Sequence, residues 1–106
     1  MTDTTTSTEA NAPTLTQDQI AQVRENWVRR GFSFETRIDM PGKQWHWETH
    51  EAVQLAVVVS GCLKLELEGE TLLLEPGREV EIPFGAWHRA SNPHKTPCEW
   101  IYGYDR

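Results

Sequence analysis

Hydrophobic residues recur along this chain with two different spacings, which divide it into a helical part and a strand-rich part. Residues 1–13 are polar, Thr-rich and without periodicity, so we predict a disordered tail that buries too little apolar area to offset its ordering entropy. Residues 14–31 carry an apolar stripe at helical spacing, which predicts one amphipathic helix over about residues 16–30. The stripe consists of Ile20, Val23, Trp27 and Val28.

Both ends of the predicted helix carry recognisable signals. Thr16 followed by Gln19 fits a capping box, in which each side chain satisfies a backbone group of the first turn. Arg29 and Arg30 lie in the last turn, where cations favour the helix dipole. Gly31 is the expected C-cap.

From residue 32 onward the apolar period changes to two, and turn residues interrupt it every 8–12 positions. Short strands at this spacing are typical of a sandwich or a barrel. We therefore assign residues 32–106 to one strand-rich domain. The predicted strands lie within 32–38, 44–50, 53–59, 63–67, 71–74, 80–82, 87–90 and 99–104.

Length and charge narrow the function classes. A chain of 106 residues is long enough for one domain and too short for a two-domain enzyme. Its 10 basic against 16 acidic residues give a net charge of −6, which argues against nucleic acid or an anionic membrane as partner. The N-terminus has neither a basic nor an apolar signal region, and no apolar run approaches the ~20 residues of a membrane span, so we expect a cytoplasmic protein.

The two cysteines, Cys62 and Cys98, lack the CxxC spacing of a metal or redox motif. We expect two reduced, half-buried thiols rather than a disulfide.

Five residues between positions 77 and 92 form a spaced motif. They are Gly77, Pro83, Gly85, His88 and Asn92. Their order and spacing are Gly, five residues, Pro-x-Gly, two residues, His, three residues and Asn. This pattern resembles, without a slip, a motif of the cupin superfamily.

The other cupin motif is matched only in part. Gly61 fits its closing glycine and His50 fits its second histidine. Glu48 stands where the first histidine belongs, and Gln54 stands where the glutamate belongs.

The resemblance implies an all-β fold, a cupin-type double-stranded β-helix or jelly-roll barrel, here preceded by one N-terminal α-helix. It also implies a divalent metal ion in the barrel mouth, a small-molecule ligand or substrate, and a homodimer. Iron, manganese, nickel and zinc all suit a site of imidazoles and a carboxylate, so the ligand types do not choose between them.

The candidate metal ligands are Glu48, His50, Gln54 and His88. If residues 44–50 form a strand, His46 shares a face with Glu48 and His50, so it is either an added ligand or a rim residue. Glu48 is the carboxylate that we expect inside the barrel, either as a ligand or as a group that orients an imidazole. Gln54 is neutral and binds metal more weakly than glutamate. His94 lies in a loop and is expected to be exposed.

The aromatic residues leave two interpretations open. They either line a pocket for an apolar or aromatic ligand, or they pack sheets and a dimer interface. Trp87 points away from His88 and is expected to pack between layers. The candidates for the pocket are Trp45, Trp47, Trp100, Tyr102 and Tyr104.

Three functions follow as hypotheses. The first is a protein that binds a divalent metal, a small organic ligand or both in the barrel mouth. The second is a metal-dependent enzyme of dioxygenase, isomerase or lyase type that acts on a small organic substrate. The third is a dimeric barrel with an empty mouth.

Overall fold

The computed structural model describes residues 13–106, so all but the last residue of the predicted tail lies outside the described residues. One helix precedes seven strands, one fewer than the eight predicted, because residues 44–50 make only isolated pairings. The elements are α1 Gln17–Arg29, β1 Glu35–Asp39, β2 Gln54–Ser60, β3 Leu63–Leu67, β4 Glu70–Leu74, β5 Glu79–Ile82, β6 His88–Ser91 and β7 Cys98–Tyr104.

The capping box at the start of α1 is present. The Thr16 hydroxyl accepts a hydrogen bond from the Gln19 backbone N–H at 3.1 Å, and the Gln19 side chain accepts one from the Thr16 N–H at 2.8 Å. At the other end the cap is Arg30, and Gly31 follows it with a φ of 86°. The left-handed glycine therefore comes one position after the cap residue, which is its usual place.

The strands form two antiparallel sheets, one of four strands in the order β1-β7-β2-β5 and one of three in the order β4-β3-β6. Ala56 and Val58 of β2 face the apolar core between the sheets. The alternate residues, Leu55 and Val57, face the opposite side and pack beneath the helix. β2 is therefore buried on both faces, as its continuous apolar run indicates.

Helix α1 covers the outer face of the four-stranded sheet. Trp27 is fully buried there, and its indole N–H donates a hydrogen bond to Glu79 Oε1 at 2.9 Å. Ile20 and Val23 pack against the same cluster. The prediction that Val28 belongs to the apolar stripe is wrong, because Val28 is 60% exposed on the far side of Trp27.

The expectation that Trp87 packs between layers is also wrong. It points away from the buried His88, as predicted, but it is exposed on the outer side of the three-stranded sheet. The one helix within residues 13–106 packs against the four-stranded sheet, so no helix in this range covers the outer side of the three-stranded sheet.

Residues 44–50 do not form the predicted continuous strand. They make two isolated antiparallel pairings, Gln44 with Ser91 and Glu48 with His88. Glu48 comes four positions after Gln44, whereas their partners His88 and Ser91 are only three positions apart. The 44–50 segment therefore contains one residue more than the stretch of β6 that it pairs with. An extra residue shifts the alternation of faces, as in a β-bulge.

Cys62 and Cys98 are both buried thiols, so the expectation of half-burial is wrong. Cys98 is fully buried because it lies on the inward face of β7, in the core between the sheets. Among residues 13–106, no helix is long and apolar enough to cross a membrane.

Candidate metal centre

Three potential metal ligands converge at one end of the sandwich. One ligand atom each from Glu48, His50 and His88 lies within 4.8 Å of the others. A two-way backbone pairing holds two of them side by side: the Glu48 N–H donates to the His88 carbonyl at 2.9 Å, and the His88 N–H donates to the Glu48 carbonyl at 3.0 Å. The cluster is thus built into the backbone that joins the 44–50 segment to β6.

The tautomer of His88 follows from its hydrogen bond. Nδ1 of His88 lies 2.9 Å from the Ala86 carbonyl oxygen. Because a carbonyl oxygen only accepts, Nδ1 carries the proton in the neutral ring. Nε2 is left with its lone pair available. A backbone carbonyl that holds Nδ1–H in this way is the usual support of a metal-binding histidine.

His50 lies half-buried beside two oxygen atoms. Its Nε2 is 3.7 Å from Glu48 Oε2 and 3.4 Å from the Tyr104 hydroxyl. Burial lowers the pKa of His50, and the Glu48 carboxylate opposes that shift. A lowered pKa favours the neutral imidazole, which is the form that binds metal.

Gln54 contributes an oxygen that lacks a partner among the described residues. It is the first residue of β2 and faces inward, opposite Tyr104 on β7 and Ile82 on β5. The side chain is 4% exposed, and its Oε1 accepts no hydrogen bond within residues 13–106. A buried acceptor without a donor is uncommon in proteins and is satisfied when a cation or a donor occupies the neighbouring space.

A small cavity that opens to solvent adjoins the cluster. Glu48, Gln54 and His88 line this cavity. His50 does not line it, but its ring packs against Tyr104, which does. The other lining residues are Arg37, Trp45, Ala56, Leu65, Ile82, Ala90, Trp100, Tyr102 and Tyr104.

Four of the five predicted aromatic candidates therefore face the cavity. Trp100, Tyr102 and Tyr104 alternate along β7 and therefore face the same side. Trp45 and Glu48 are three positions apart, and the extra residue in their segment lets both face the cavity. Trp47 lies outside, with the Arg89 guanidinium 5.0 Å from its ring centre.

Two of the predicted site residues lie nearer the solvent than the other ligands. His46 is exposed, and it belongs neither to the cluster of ligand atoms nor to the cavity lining. Glu48 lies at the mouth with its side chain 48% exposed, rather than deep inside the barrel. The carboxylate that is buried is Asp39.

Asp39 was not identified from the sequence. One of its oxygens, Oδ2, accepts hydrogen bonds from the indole N–H groups of Trp45 at 2.9 Å and Trp100 at 3.0 Å. These bonds fix two aromatic walls of the cavity. The signal was a charged residue at an inward strand position, which is interpretable only once the strand register is known.

Asn92, the last position of the matched motif, has a structural role. Its fully buried amide donates to the carbonyls of Asp39 at 3.0 Å and Thr96 at 2.9 Å, and its oxygen accepts from the His94 backbone N–H at 3.0 Å. His94 is half-buried as a result, not exposed. Asn92 thus joins the end of β1 to the loop before β7.

The donor set fits a divalent transition metal. Two imidazoles and one carboxylate form the facial set that leaves coordination positions open, and Gln54 Oε1 offers a fourth oxygen. An ion with bonds of ~2.1 Å holds any two donors within ~4.2 Å of each other, so binding would draw these side chains slightly together. The half-exposed Glu48 has the freedom to follow.

Comparison with known proteins agrees with this architecture. Residues 37–104 match the cupin domain family. The chain belongs to this family. A cupin domain of an XRE family transcriptional regulator from Enterobacter cloacae superposes on this cupin with a TM-score of 0.65 at 26% identity, covering 76% of this chain and 87% of that one.

Larger proteins contain similar domains. Mannose-1-phosphate guanylyltransferase of Escherichia coli K12 is 36% identical over 52 residues, which are 49% of this chain and 11% of that protein. A recombinant oxalate oxidase in complex with glycolate shares the fold with a TM-score of 0.65 at 21% identity, covering 72% of this chain and 42% of the oxidase. The cupin thus spans only a small part of the curated relative that it matches.

Proposed function

We propose that this cupin binds one divalent transition-metal ion through Glu48, His50 and His88, with Gln54 Oε1 as a further oxygen donor. A small organic ligand then occupies the adjoining aromatic-lined cavity. The observation that carries the proposal is the hydrogen bond from His88 Nδ1 to the Ala86 carbonyl at 2.9 Å. In the neutral ring this bond places the proton on Nδ1 and leaves the Nε2 lone pair within reach of the His50 imidazole and the Glu48 carboxylate.

The surrounding residues have defined parts in this function. The metal, when bound, supplies Lewis acidity towards a ligand oxygen. Glu48 contributes the negative charge that partly offsets the ion. The Tyr104 ring packs edge-on against the His50 ring, with the ring centres 4.8 Å apart, and restricts its orientation. Burial raises the pKa of Tyr104, so the hydroxyl stays neutral at physiological pH.

Metal analysis of the purified protein tests the proposal. We expect about one Fe(II), Mn(II), Ni(II) or Zn(II) ion per chain after incubation and removal of free metal. His88→Ala should weaken binding by more than the ~10–100-fold that losing an outer-shell partner costs. His46→Ala removes an exposed imidazole two residues from Glu48 and should bind metal like the wild type.

Absence of uptake with all four metals would refute the metal site. Equal affinity of the wild type and His88→Ala would show that any bound ion lies elsewhere. The metal-dependent enzyme, the cytoplasmic location and the homodimer stay predictions.

A further inference from the structure

Arg37 places a cation in the wall of the cavity. It lies in the middle of β1, opposite Trp100 on β7, and both residues line the space. The guanidinium carbon is 4.0 Å from the Trp45 ring centre and 5.3 Å from that of Tyr102. Contact with two rings restricts the orientations of the planar guanidinium, so it is held ready for a ligand.

The hydrogen-bonding capacity of Arg37 is mostly unused. Its contact with Asp39 is a single distance of 3.8 Å from Nε to Oδ1, too long for a hydrogen bond. The other oxygen of Asp39 already accepts from two indole N–H groups. Within residues 13–106, no group accepts a hydrogen bond from the terminal nitrogens of Arg37, which leaves a fork that suits a carboxylate.

The charges around the cavity also favour an anion. Among the described residues that line the cavity, Arg37 carries a positive charge and Glu48 a negative one. A second cation lies just outside, because Lys43 Nζ is 4.0 Å from the Trp45 ring centre. With a divalent ion bound, Arg37, Lys43 and the ion together outweigh Glu48 and the buried Asp39 by two positive charges. An anionic ligand would offset part of that excess.

We propose that Arg37 makes this cavity selective for small monocarboxylates, which its terminal nitrogens bind in a bidentate manner. This inference rests on the proposed function, because it assigns the ligand class of the same cavity. The aromatic and aliphatic walls would contact the apolar body of the acid. Arg37 is in this view a specificity residue.

Matched pairs of acids and amides test the inference. Binding of acetate against acetamide, and of benzoate against benzamide, would be measured by calorimetry at constant ionic strength, with and without added Mn(II). We expect at least one acid to bind tenfold more tightly than its amide, because the amide has nearly the same shape without the charge. Arg37→Gln should remove this preference, and Arg37→Lys should restore it in part.

Two controls separate this inference from the metal proposal. Arg78→Gln removes the same charge from an exposed turn and should keep the preference. Metal affinity, measured separately, should change little in Arg37→Gln. An acid preference that depends on Arg37 but not on metal would support the inference even if the metal site failed. Equal binding of acids and amides, no binding of either, or an unchanged preference in Arg37→Gln would overturn it.

Discussion

The buried Gln54 oxygen gives the most direct means of altering the site. Gln54→Glu adds a negative charge to the donor set at nearly constant shape. Without metal, the new carboxyl is buried beside Glu48 and should lower the free energy of unfolding by about 1–3 kcal/mol. With metal, the anionic oxygen should bind the ion at least tenfold more tightly. Titration with Mn(II) or Zn(II) and unfolding in urea would measure the two effects.

Gln44→Glu is the matched control for this change. Gln44 is an exposed glutamine that does not line the cavity, so the same substitution there should change neither metal affinity nor stability appreciably. If Gln54→Glu also leaves metal affinity unchanged, Gln54 does not coordinate the ion.

Motif spacing was a good guide to single residues where the chain keeps a regular register. His88 and Gln54 lie in regular strands, and their inward direction follows from the motif and the period of two. For His46 the sequence left a ligand and a rim residue as alternatives. The residue is exposed, in a segment that gains one residue relative to its partner. Arg37 and Asp39 were missed because charged residues on an edge strand ordinarily indicate a solvated face.

At the scale of elements, hydrophobic period predicted helix α1 and most strands to within a few residues. It failed at residues 44–50, where no local signal marks the extra residue. Pairing with β6 and the position of Asp39 determine that geometry, and both are long-range contacts. The site therefore depends on the relative positions of β6, β7 and the 44–50 segment. Those positions are set by long-range contacts, which the periodicity of a single sequence does not predict.

The contact between β7 and the chain after the helix depends on Gly103. A Cβ at this position would overlap the Ser33 carbonyl and approach the Trp27 ring to 3.2 Å. Ser33 N–H donates to the Tyr104 carbonyl at 2.8 Å, so the two backbones have little room to separate. We expect Gly103→Ala to lower the free energy of unfolding by about 3 kcal/mol.

Gly69→Ala is the reference for that measurement in urea. Gly69 has a φ of 80° but open space around its Cβ position, so alanine there should cost only the ~1–2 kcal/mol of a left-handed residue. Equal losses in the two variants would mean that the overlap at Gly103 relaxes at little cost.

At the scale of the whole molecule, the layers account for where the charge and the apolar surface lie. The helix and both sheets bury two separate apolar clusters, one under α1 and one between the sheets. Among residues 13–106, most acidic side chains are exposed. Cys98 is a titratable group in the inner cluster, so it couples the stability of the whole fold to alkaline pH.

Burial raises the pKa of Cys98 from 9.0 to about 12, with a further contribution from Asp39. Above pH 9 the unfolded chain loses this thiol proton while the folded chain keeps it. Stability should therefore fall as pH rises, by up to ~1.4 kcal/mol per unit for this group. Urea unfolding between pH 8 and about pH 11 should give a shallower decline for Cys98→Ala. Val58→Ala shrinks a buried side chain without removing a titratable group and should decline in parallel with the wild type. Parallel curves for all three proteins would show that the buried thiol does not cause the alkaline loss.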